Sequence, residues 1–357
     1  MTQCSDADVG LFFVNARFRL QSMTGVQRYA DEICQRLQSH LAEIVPPRSS
    51  GSGLRGHLWE QTALHRIARH QVLWSPCNSG PLRCGRHVVT IHDMAPFDVP
   101  EGYASSYRAL YKALIPRLAR RAVRVLTVSE FSKSRIVEIA KVDPDKIVVI
   151  PNGVSSVFQA DNEDPASSPA DDNDGNFILA VGSLSPRKNL VGLMTAWQNL
   201  YRAGRTRDVQ LYIVGGEVPR VFGDQLICKP DRSGVHFLGR VDDRRLGQLY
   251  NRALCCVNPS FYEGFGIPIV EALAAGCPVI CSDRTAFPEV GGDVVDYFDP
   301  GNTESMMDAI DIAINRYRVP ATRKRQGEVS KMRATLFNWD RSAEQVRSVL
   351  NEVALDV

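Results

Sequence analysis

Short runs of β-branched residues alternate with amphipathic segments along most of the chain. In the first part, five such runs are predicted strands: 9–14, 72–75, 87–92, 124–129 and 146–150. Helical segments such as 26–41 and 105–121 separate these strands, and Ser129 is expected to cap a helix over 130–140. Since strands that alternate with helices form parallel sheets covered on both faces, the pattern predicts a doubly wound α/β domain.

The alternating pattern stops at an acidic stretch and then starts again. Residues 159–176, QADNEDPASSPADDNDGN, are nearly free of apolar side chains, so we expect a linker there. Further strands are predicted at 177–181, 210–214, 235–238, 255–258 and 278–281, with helices at 189–203, 242–253 and 268–275. At 357 residues, the chain is longer than one core usually serves. Two domains are therefore predicted, 1–158 and 177–340, with a helix near 341–357 that packs back on the first.

The segment 46–56 interrupts the pattern of the first domain. It is short and rich in Pro, Ser, Gly and Arg, where a second strand and helix would be expected. We therefore expect the first domain to be trimmed or locally disordered at this point.

Composition and charge exclude several classes of protein. Residues 1–150 carry 20 Lys and Arg against 13 Asp and Glu, an excess too diffuse for nucleic acid but compatible with an anionic membrane surface. The nine cysteines lack paired C-x-x-C spacing, so neither zinc nor a disulfide framework is indicated, and a reducing cytoplasm is expected. We expect no signal peptide, and the sequence contains no run of about 18 apolar residues that would cross a membrane.

The stretch 259–288 is the richest in features that bind ligands. It predicts a strand, a turn containing Gly264 and Gly266, a helix and another strand, an order that exposes backbone N–H groups to a phosphate. Glu263 lies in the turn and Glu271 is expected in the first helical turn, and each carboxylate can accept hydrogen bonds from sugar hydroxyls. The alternative is that Glu271 only complements the helix dipole and that Glu263 is a solvated loop residue.

A second stretch, VGSLSPRKN at 181–189, places two cations after a predicted strand. Arg187 and Lys188 would lie at the carboxyl end of a parallel strand, where doubly wound folds bind ligands. A guanidinium fork and a point charge together suit a diphosphate leaving group. The alternative is a solvated basic loop.

Together these stretches resemble the retaining glycosyltransferases of family four, also called group 1, which have two Rossmann-like domains facing a cleft in the GT-B architecture. Glu263 and Glu271 fit the family's motif of a Glu, seven residues and a second Glu. The resemblance covers nearly the whole chain and includes the following segments: Thr24-Gly25-Val26, His92-Asp93, SEFS at 129–132, IPNG at 150–153, GSLSPRKN and the Trp339 region.

The resemblance implies roles for residues of the second domain. Arg187 and Lys188 would hold the donor diphosphate, Glu271 the ribose hydroxyls, and Glu263 the transferred sugar. The backbone that would accompany Glu263 comprises Gly264, Phe265, Gly266 and Ile267.

In the first domain, the resemblance implies that His92 faces the donor sugar across the cleft and that Gly25 lets its loop approach the diphosphate. A His at a strand end can also be structural, with Asp93 holding one tautomer. The family reacts on one face of the sugar, so neither a covalent nucleophile nor a divalent metal is assigned, and no cofactor beyond the nucleotide sugar is expected. The acidic run 171–174 is not assigned to a metal site, because it lies in the predicted linker.

The segments TGVQRYADEI and LWSPCNSGPL are similar to bacterial O-antigen and exopolysaccharide mannosyltransferases. GDP-mannose is therefore the first choice of donor, ahead of UDP-sugars and dTDP-rhamnose, with a glycan or lipid-linked acceptor at the cytoplasmic face of the inner membrane. Two alternatives stay open, a sugar-nucleotide epimerase and a non-catalytic sugar-nucleotide-binding subunit. The helix 107–123 interleaves basic and apolar residues, which indicates either peripheral membrane contact or a packed surface helix.

Overall fold

The computed structural model describes residues 11–51, 53–159, 176–215 and 234–355. It divides into two compact units: unit 1 combines the chain up to residue 153 with the chain from 338 onward, and unit 2 holds 154–337. Each unit contains a six-stranded, all-parallel sheet, which confirms the predicted pair of Rossmann-like α/β folds. Most of the predicted linker, 160–175, lies outside the described residues.

The sheet of unit 1 has the strand order β2-β1-β3-β4-β5-β6. The strands are β1 (Phe12–Asn15), β2 (Leu41–Ile44), β3 (Leu73–Ser75), β4 (His87–Thr90), β5 (Arg124–Thr127) and β6 (Ile147–Val149). The helices are α1 (Gly25–Arg36), α2 (Gly53–Trp59), α3 (His65–Ala68), α4 (Ala95–Asp98), α5 (Ser105–Arg121) and α6 (Glu130–Ala140). Ser129 caps α6 as predicted, since its Oγ accepts a hydrogen bond of 3.0 Å from the Ser132 N–H.

Strand β2 was missed by the sequence analysis, which extended the first helix to residue 41. Helix α1 ends at Arg36, and Leu41 pairs with Phe12 of β1 at the sheet edge. Helical propensity at 37–41 is overridden by this pairing. The expectation of a trimmed first domain was therefore wrong, because β2 and α2 supply the strand and helix that 46–56 seemed to lack.

Helix α5 packs its apolar side chains into unit 1. Tyr111, Ile115 and Ala119 are buried with residues of β4 and β5 in one core cluster. The Arg120 Nε donates to the Ala140 carbonyl. These contacts favour the packed-helix alternative for this segment. Among the described residues, no helix combines the length and apolarity needed to cross a membrane.

The sheet of unit 2 has the order β12-β11-β10-β7-β8-β9. The strands are β7 (Phe177–Val181), β8 (Gln210–Val214), β9 (Val235–Gly239), β10 (Cys256–Asn258), β11 (Val279–Ser282) and β12 (Asp296–Phe298), of which β12 was not predicted. The helices are α7 (Leu190–Arg202), α8 (Asp243–Arg252), α9 (Ile267–Ala274), α10 (Phe287–Gly291), α11 (Thr303–Tyr317) and α12 (Pro320–Ala334). Leucine, isoleucine and valine side chains of the sheet pack with Trp197 of α7 and Ile310 of α11 in the core.

The chain returns to unit 1 through α13 (Trp339–Leu355), which packs against α1. Its first residue, Trp339, is buried and meets Tyr29 edge to face with ring centroids 6.0 Å apart. The Ser342 hydroxyl donates to the Pro151 carbonyl at 2.7 Å. Between these contacts lies Gly153, where the backbones of the two segments approach too closely for a side chain.

Candidate active site

The strand order of unit 2 reverses between β7 and β10, which are neighbours in the sheet although three crossovers separate them in sequence. In doubly wound folds the loops that leave the carboxyl ends of two such strands diverge and form a ligand crevice. The loop after β7 carries Arg187 and Lys188, and the loop after β10 carries Glu263. The topology therefore brings the two motifs found in the sequence to one place.

The basic turn after β7 has a defined backbone. Residues Pro186–Lys188 form a 3-10 turn, and Asn189 follows with a left-handed φ of 52° before α7 begins. The Phe261 N–H donates to the Arg187 carbonyl at 2.8 Å, which ties the basic turn to the loop after β10. The two cations are therefore held on structured backbone rather than on a solvated loop.

Glu263 is a buried carboxylate that both cations contact. Its Oε2 lies 3.0 Å from Arg187 Nη1, and its Oε1 forms an ion pair with Lys188 Nζ. The Ser260 hydroxyl also donates to Oε1 at 3.0 Å, and the Thr285 hydroxyl accepts from the Glu263 N–H at 3.2 Å. This geometry disagrees with the alternative that Glu263 is a solvated loop residue.

The surroundings of Glu263 fix its charge. Burial by itself raises its pKa, but the charges of Lys188 and Arg187 and the hydrogen bonds from Lys188 and Ser260 lower the pKa to about 2. A carboxylate with so low a pKa stays ionised at neutral pH and accepts hydrogen bonds. It is suited to bind hydroxyl groups and to stabilise positive charge, and it is unsuited to donate a proton.

Glu271 is also buried, on α9, but it lies in the second turn of that helix and not in the first as predicted. The helix begins at Ile267, so Glu271 is separated from its N-terminus by a full turn. The Tyr250 hydroxyl lies 3.5 Å from Glu271 Oε2 and donates to the Pro268 carbonyl at 3.2 Å. The dipole of the first turn therefore does not account for this buried carboxylate.

The turn between the two glutamates needs glycine at Gly266. Its φ is 110°, and a Cβ there would lie 2.8 Å from the Phe287 ring. Gly264 and Phe265 are buried, and the Phe265 ring packs edge to face on Phe337. Ile267 opens α9. Pro268 has no N–H and the Ile269 N–H donates to the Gly266 carbonyl at 2.9 Å, so these two residues offer no amide to an anion.

The sheet of unit 1 has its own order reversal, between β1 and β3. Gly25 is the exposed first residue of α1, which follows β1, and the side chain of the preceding Thr24 makes no capping hydrogen bond. The N-terminal amides of α1 therefore remain available to an anionic group. This position is consistent with the predicted close approach of Gly25 to a ligand, which stays a prediction.

His92 follows β4 and is buried. Its Nε2 lies 2.9 Å from the Pro76 carbonyl, a contact that requires the proton on Nε2, and its ring meets Tyr29 edge to face. The Asn78 side chain accepts from the His92 N–H at 2.7 Å. Asp93 accepts from the Ala95 N–H, and the contact of His92 Nε2 with the Pro76 carbonyl places the proton of the neutral ring on Nε2. The Pro76 carbonyl and the Tyr29 ring thus fix the orientation of the His92 ring.

Burial lowers the pKa of His92 to about 4, although the Pro76 carbonyl acts in the opposite direction. The ring is therefore expected to stay neutral down to about pH 4, and the stability it contributes is full above its unfolded pKa of 6.5 and is lost as pH falls towards 4. The measurement is histidine NMR, with the signal assigned through His92→Gln. Protonation of His92 near pH 6 would contradict this prediction.

His87 has a pKa lowered to about 4 by burial and adds to the same pH dependence. The comparison of unfolding free energies between wild type and His92→Gln across pH 6.5 to 4 isolates the share of His92. A curve for the variant that is parallel to that of the wild type would show that His92 contributes none of the loss.

Three residues that contact the two glutamates were not singled out from the sequence: Tyr250, Ser260 and Thr285. Ser260 lies three positions before Glu263, and this short separation was the one feature of the sequence that could have indicated their contact. Tyr250 and Thr285 reach the site from α8 and from the loop after β11, so only the fold brings them there.

The fold and the site define a two-unit α/β protein with an ion-paired carboxylate at the switch point of its second parallel sheet. The solved structure of WaaG, described as a glycosyltransferase involved in lipopolysaccharide biosynthesis, has a similar fold, with a TM-score of 0.72 and 17% identity over 95% of this chain and 98% of that one. The structure of Anabaena Alr3699/HepE in complex with UDP and glucose gives a TM-score of 0.69 at 18% identity over 96% and 99% of the two chains.

Two family models match the chain, glycosyl transferases group 1 over residues 161–332 and glycosyltransferase family 4 over 46–157. The O-antigen chain mannosyltransferase RfbU of Salmonella typhimurium is 32% identical over 82% of this chain and 85% of its own length. The O-antigen chain mannosyltransferase B of Escherichia coli is 36% identical over 63% of this chain and 60% of its own length. The chain belongs to the group 1 glycosyltransferases, as the sequence motifs predicted.

Proposed function

We propose that this glycosyltransferase moves mannose from GDP-mannose to a hydroxyl of a lipid-linked or growing surface polysaccharide at the cytoplasmic face of the inner membrane. The transfer would retain the anomeric configuration and need no metal ion. The observation that carries the proposal is the buried carboxylate of Glu263, ion-paired with the half-buried Arg187 and Lys188 at the switch point of unit 2. The names of the O-antigen mannosyltransferases that the chain resembles support mannose as the sugar.

In this proposal Arg187 and Lys188 bind the donor diphosphate. Both cations contact Glu263 in the described structure, so a diphosphate would compete with this carboxylate for them. A guanidinium and an ammonium group stabilise the negative charge that develops on the leaving nucleotide diphosphate. They would replace a metal ion in this role.

Glu263 then becomes an acceptor for hydroxyl groups of the transferred sugar. Because its pKa is about 2, it is ionised, and its charge also stabilises the oxocarbenium character of the transition state. The bond from the sugar C1 to the diphosphate oxygen breaks, and the bond from C1 to the acceptor oxygen forms on the same face. The acceptor proton passes to the leaving phosphate oxygen, so no protein base is needed.

Glu271, held beside the Tyr250 hydroxyl, is proposed to accept hydrogen bonds from the ribose hydroxyls.

Purified protein is expected to be stabilised against heat by GDP more than by UDP or dTDP, since a ligand that binds only the folded state raises stability by mass action. Glu271→Ala is expected to weaken nucleotide binding about 10-fold to 100-fold, the effect of one charged hydrogen bond.

Glu328→Ala, on the exposed surface of α12, is the matched control and should bind nucleotide like the wild type. Mannose transfer from GDP-mannose to the acceptor glycan is followed in the same preparations. Stabilisation by UDP or dTDP alone would contradict the choice of GDP. Nucleotide binding without transfer would favour a non-catalytic subunit, and conversion of the donor sugar without transfer would favour an epimerase.

A further inference from the structure

The helical segment from Gly53 to Ala68 in unit 1 exposes an apolar and basic surface. The segment consists of α2, a π-helical turn over Glu60–Leu64 and α3. The name outer face is used here for the exposed residues Leu54, Arg55, Leu58, Arg66 and Ile67 of this segment together with the exposed Arg69 that follows it; Gly53 and Thr62 are exposed as well. Leu54, Leu58 and Ile67 are 75%, 64% and 51% exposed. Single exposed leucines are ordinary on proteins, but aliphatic side chains grouped with cations on one helical segment indicate an interaction surface.

Packing on the opposite side fixes the orientation of this segment. Trp59, Leu64 and Ala68 are buried in a cluster with Leu73 of β3 and with Cys84. The segment cannot rotate to bury Leu54 or Leu58 without withdrawing Trp59 and Leu64 from that cluster. The outer face is therefore a permanent part of the surface of unit 1.

The charge of this surface has one sign. Residues 46–70 contain four arginines and one carboxylate, Glu60. Glu60 is fully buried, where its oxygens contact Arg17 Nη1 at 3.2 Å and His57 Nδ1 at 3.1 Å, so it does not neutralise the outer face. In the part of the chain that the structure describes, no salt bridge involves Arg55, Arg66 or Arg69.

We propose that the outer face docks on an anionic phospholipid surface. Leu54, Leu58 and Ile67 would enter the boundary between headgroups and acyl chains, and the arginines would bind lipid phosphates. A phospholipid surface offers phosphates directly beside apolar acyl chains, whereas the exterior of a nucleic-acid duplex is mainly sugar and phosphate, so the combination of leucines and arginines favours lipid. The inference rests on the proposed function in one respect: docking on the membrane would bring the enzyme close to a lipid-linked acceptor. Vesicle binding itself is measured without donor or acceptor.

The test is co-sedimentation of the full chain with vesicles of phosphatidylcholine alone or with about 30 mol% phosphatidylglycerol. Binding is expected with the anionic vesicles only and should weaken as salt shortens the range of electrostatic attraction. The triple variant Arg55→Gln, Arg66→Gln, Arg69→Gln is expected to bind on the order of 100-fold more weakly, since each basic residue near the surface contributes about a factor of five. Leu54→Asn with Leu58→Asn should lose about 10-fold or more.

The matched controls lie on unit 2. Lys324→Gln with Arg325→Gln removes exposed charge from α12, and Met332→Asn removes an exposed apolar side chain from the same helix. Both controls should bind vesicles like the wild type. Equal losses in the controls and in the outer-face variants would show general electrostatic attraction and overturn the assignment of this face.

A direct readout comes from Leu58→Trp. The four native tryptophans, Trp59, Trp74, Trp197 and Trp339, are all buried, so the new fluorophore is the exposed one. Brominated lipids are expected to quench it. Absence of quenching, or binding of a DNA duplex in place of vesicles, would overturn the proposal. Mannose transfer to a soluble acceptor tests the proposed function separately, and the outer-face variants should retain it.

Discussion

Lys188→Ala is expected to lower kcat/KM for the sugar-nucleotide donor about 100-fold to 1000-fold, the usual effect of removing one group that stabilises developing negative charge. The substitution removes a cation from the proposed diphosphate site. It also leaves the buried Glu263 with Arg187 as its remaining cationic contact among those seen in the structure, so a negative charge would face the incoming diphosphate. Steady-state kinetics with varied donor provide the measurement.

A second substitution separates the two causes of this loss, the missing cation and the repulsion of the diphosphate by Glu263. If repulsion by Glu263 contributes, Glu263→Gln in the Lys188→Ala background should restore part of the nucleotide affinity while transfer stays low. Lys324→Ala, an exposed lysine on α12, is the matched control and should leave the kinetics unchanged. A Lys188→Ala enzyme within about threefold of wild type would remove Lys188 from the site, because an effect so small is below that of one charge-assisted hydrogen bond.

Gly153→Ala is expected to cost about 3 kcal/mol of unfolding free energy, at the upper end of the usual range for overpacking. A Cβ at this position would lie 2.3 Å from the Trp339 backbone nitrogen and 2.5 Å from its Cγ. Backbone atoms at the start of α13 cannot move aside as the end of a flexible side chain can. Relief would require Trp339 to leave its contact with Tyr29.

Urea unfolding followed by tryptophan fluorescence measures this effect. Gly85→Ala is the control, because a Cβ there meets no atom within 4 Å and its backbone is not left-handed. The control should unfold at the wild-type midpoint. If the two variants unfold alike, the close packing of the IPNG segment on α13 is not a source of stability.

The alternation of strands and helices was sufficient to predict both sheets, because strands covered on two faces must be apolar throughout, as Val88 and Val89 are. The failures were at sheet edges. Strands β2 and β12 are short, lie at the outer ends of their sheets and include charged residues such as Glu43 and Asp296, so their sequences lack the apolar signature. Their pairing partners, distant in sequence, decide their conformation.

The candidate site was predicted in its parts and not in its contacts. The spacing of Glu263 and Glu271 and the Arg187-Lys188 pair were visible in the sequence, but the ion pairs between the loops depend on the adjacency of β7 and β10. The prediction that Glu271 lies in the first turn of α9 was wrong. The left-handed Gly266 lets the helix begin at Ile267, one residue earlier than predicted, so Glu271 lies in the second turn. The support from Tyr250 is a tertiary contact that no local pattern encodes.

The division of unit 1 between the two ends of the chain has a consequence for biosynthesis. Unit 2 is one continuous stretch, 154–337, and a ribosome delivers all of it before α13 is made. Until α13 emerges, α1 lacks the helix that covers it, and Tyr29 lacks the ring of Trp339. Most of unit 1 is therefore translated first, but its packing is complete only after α13 has been translated.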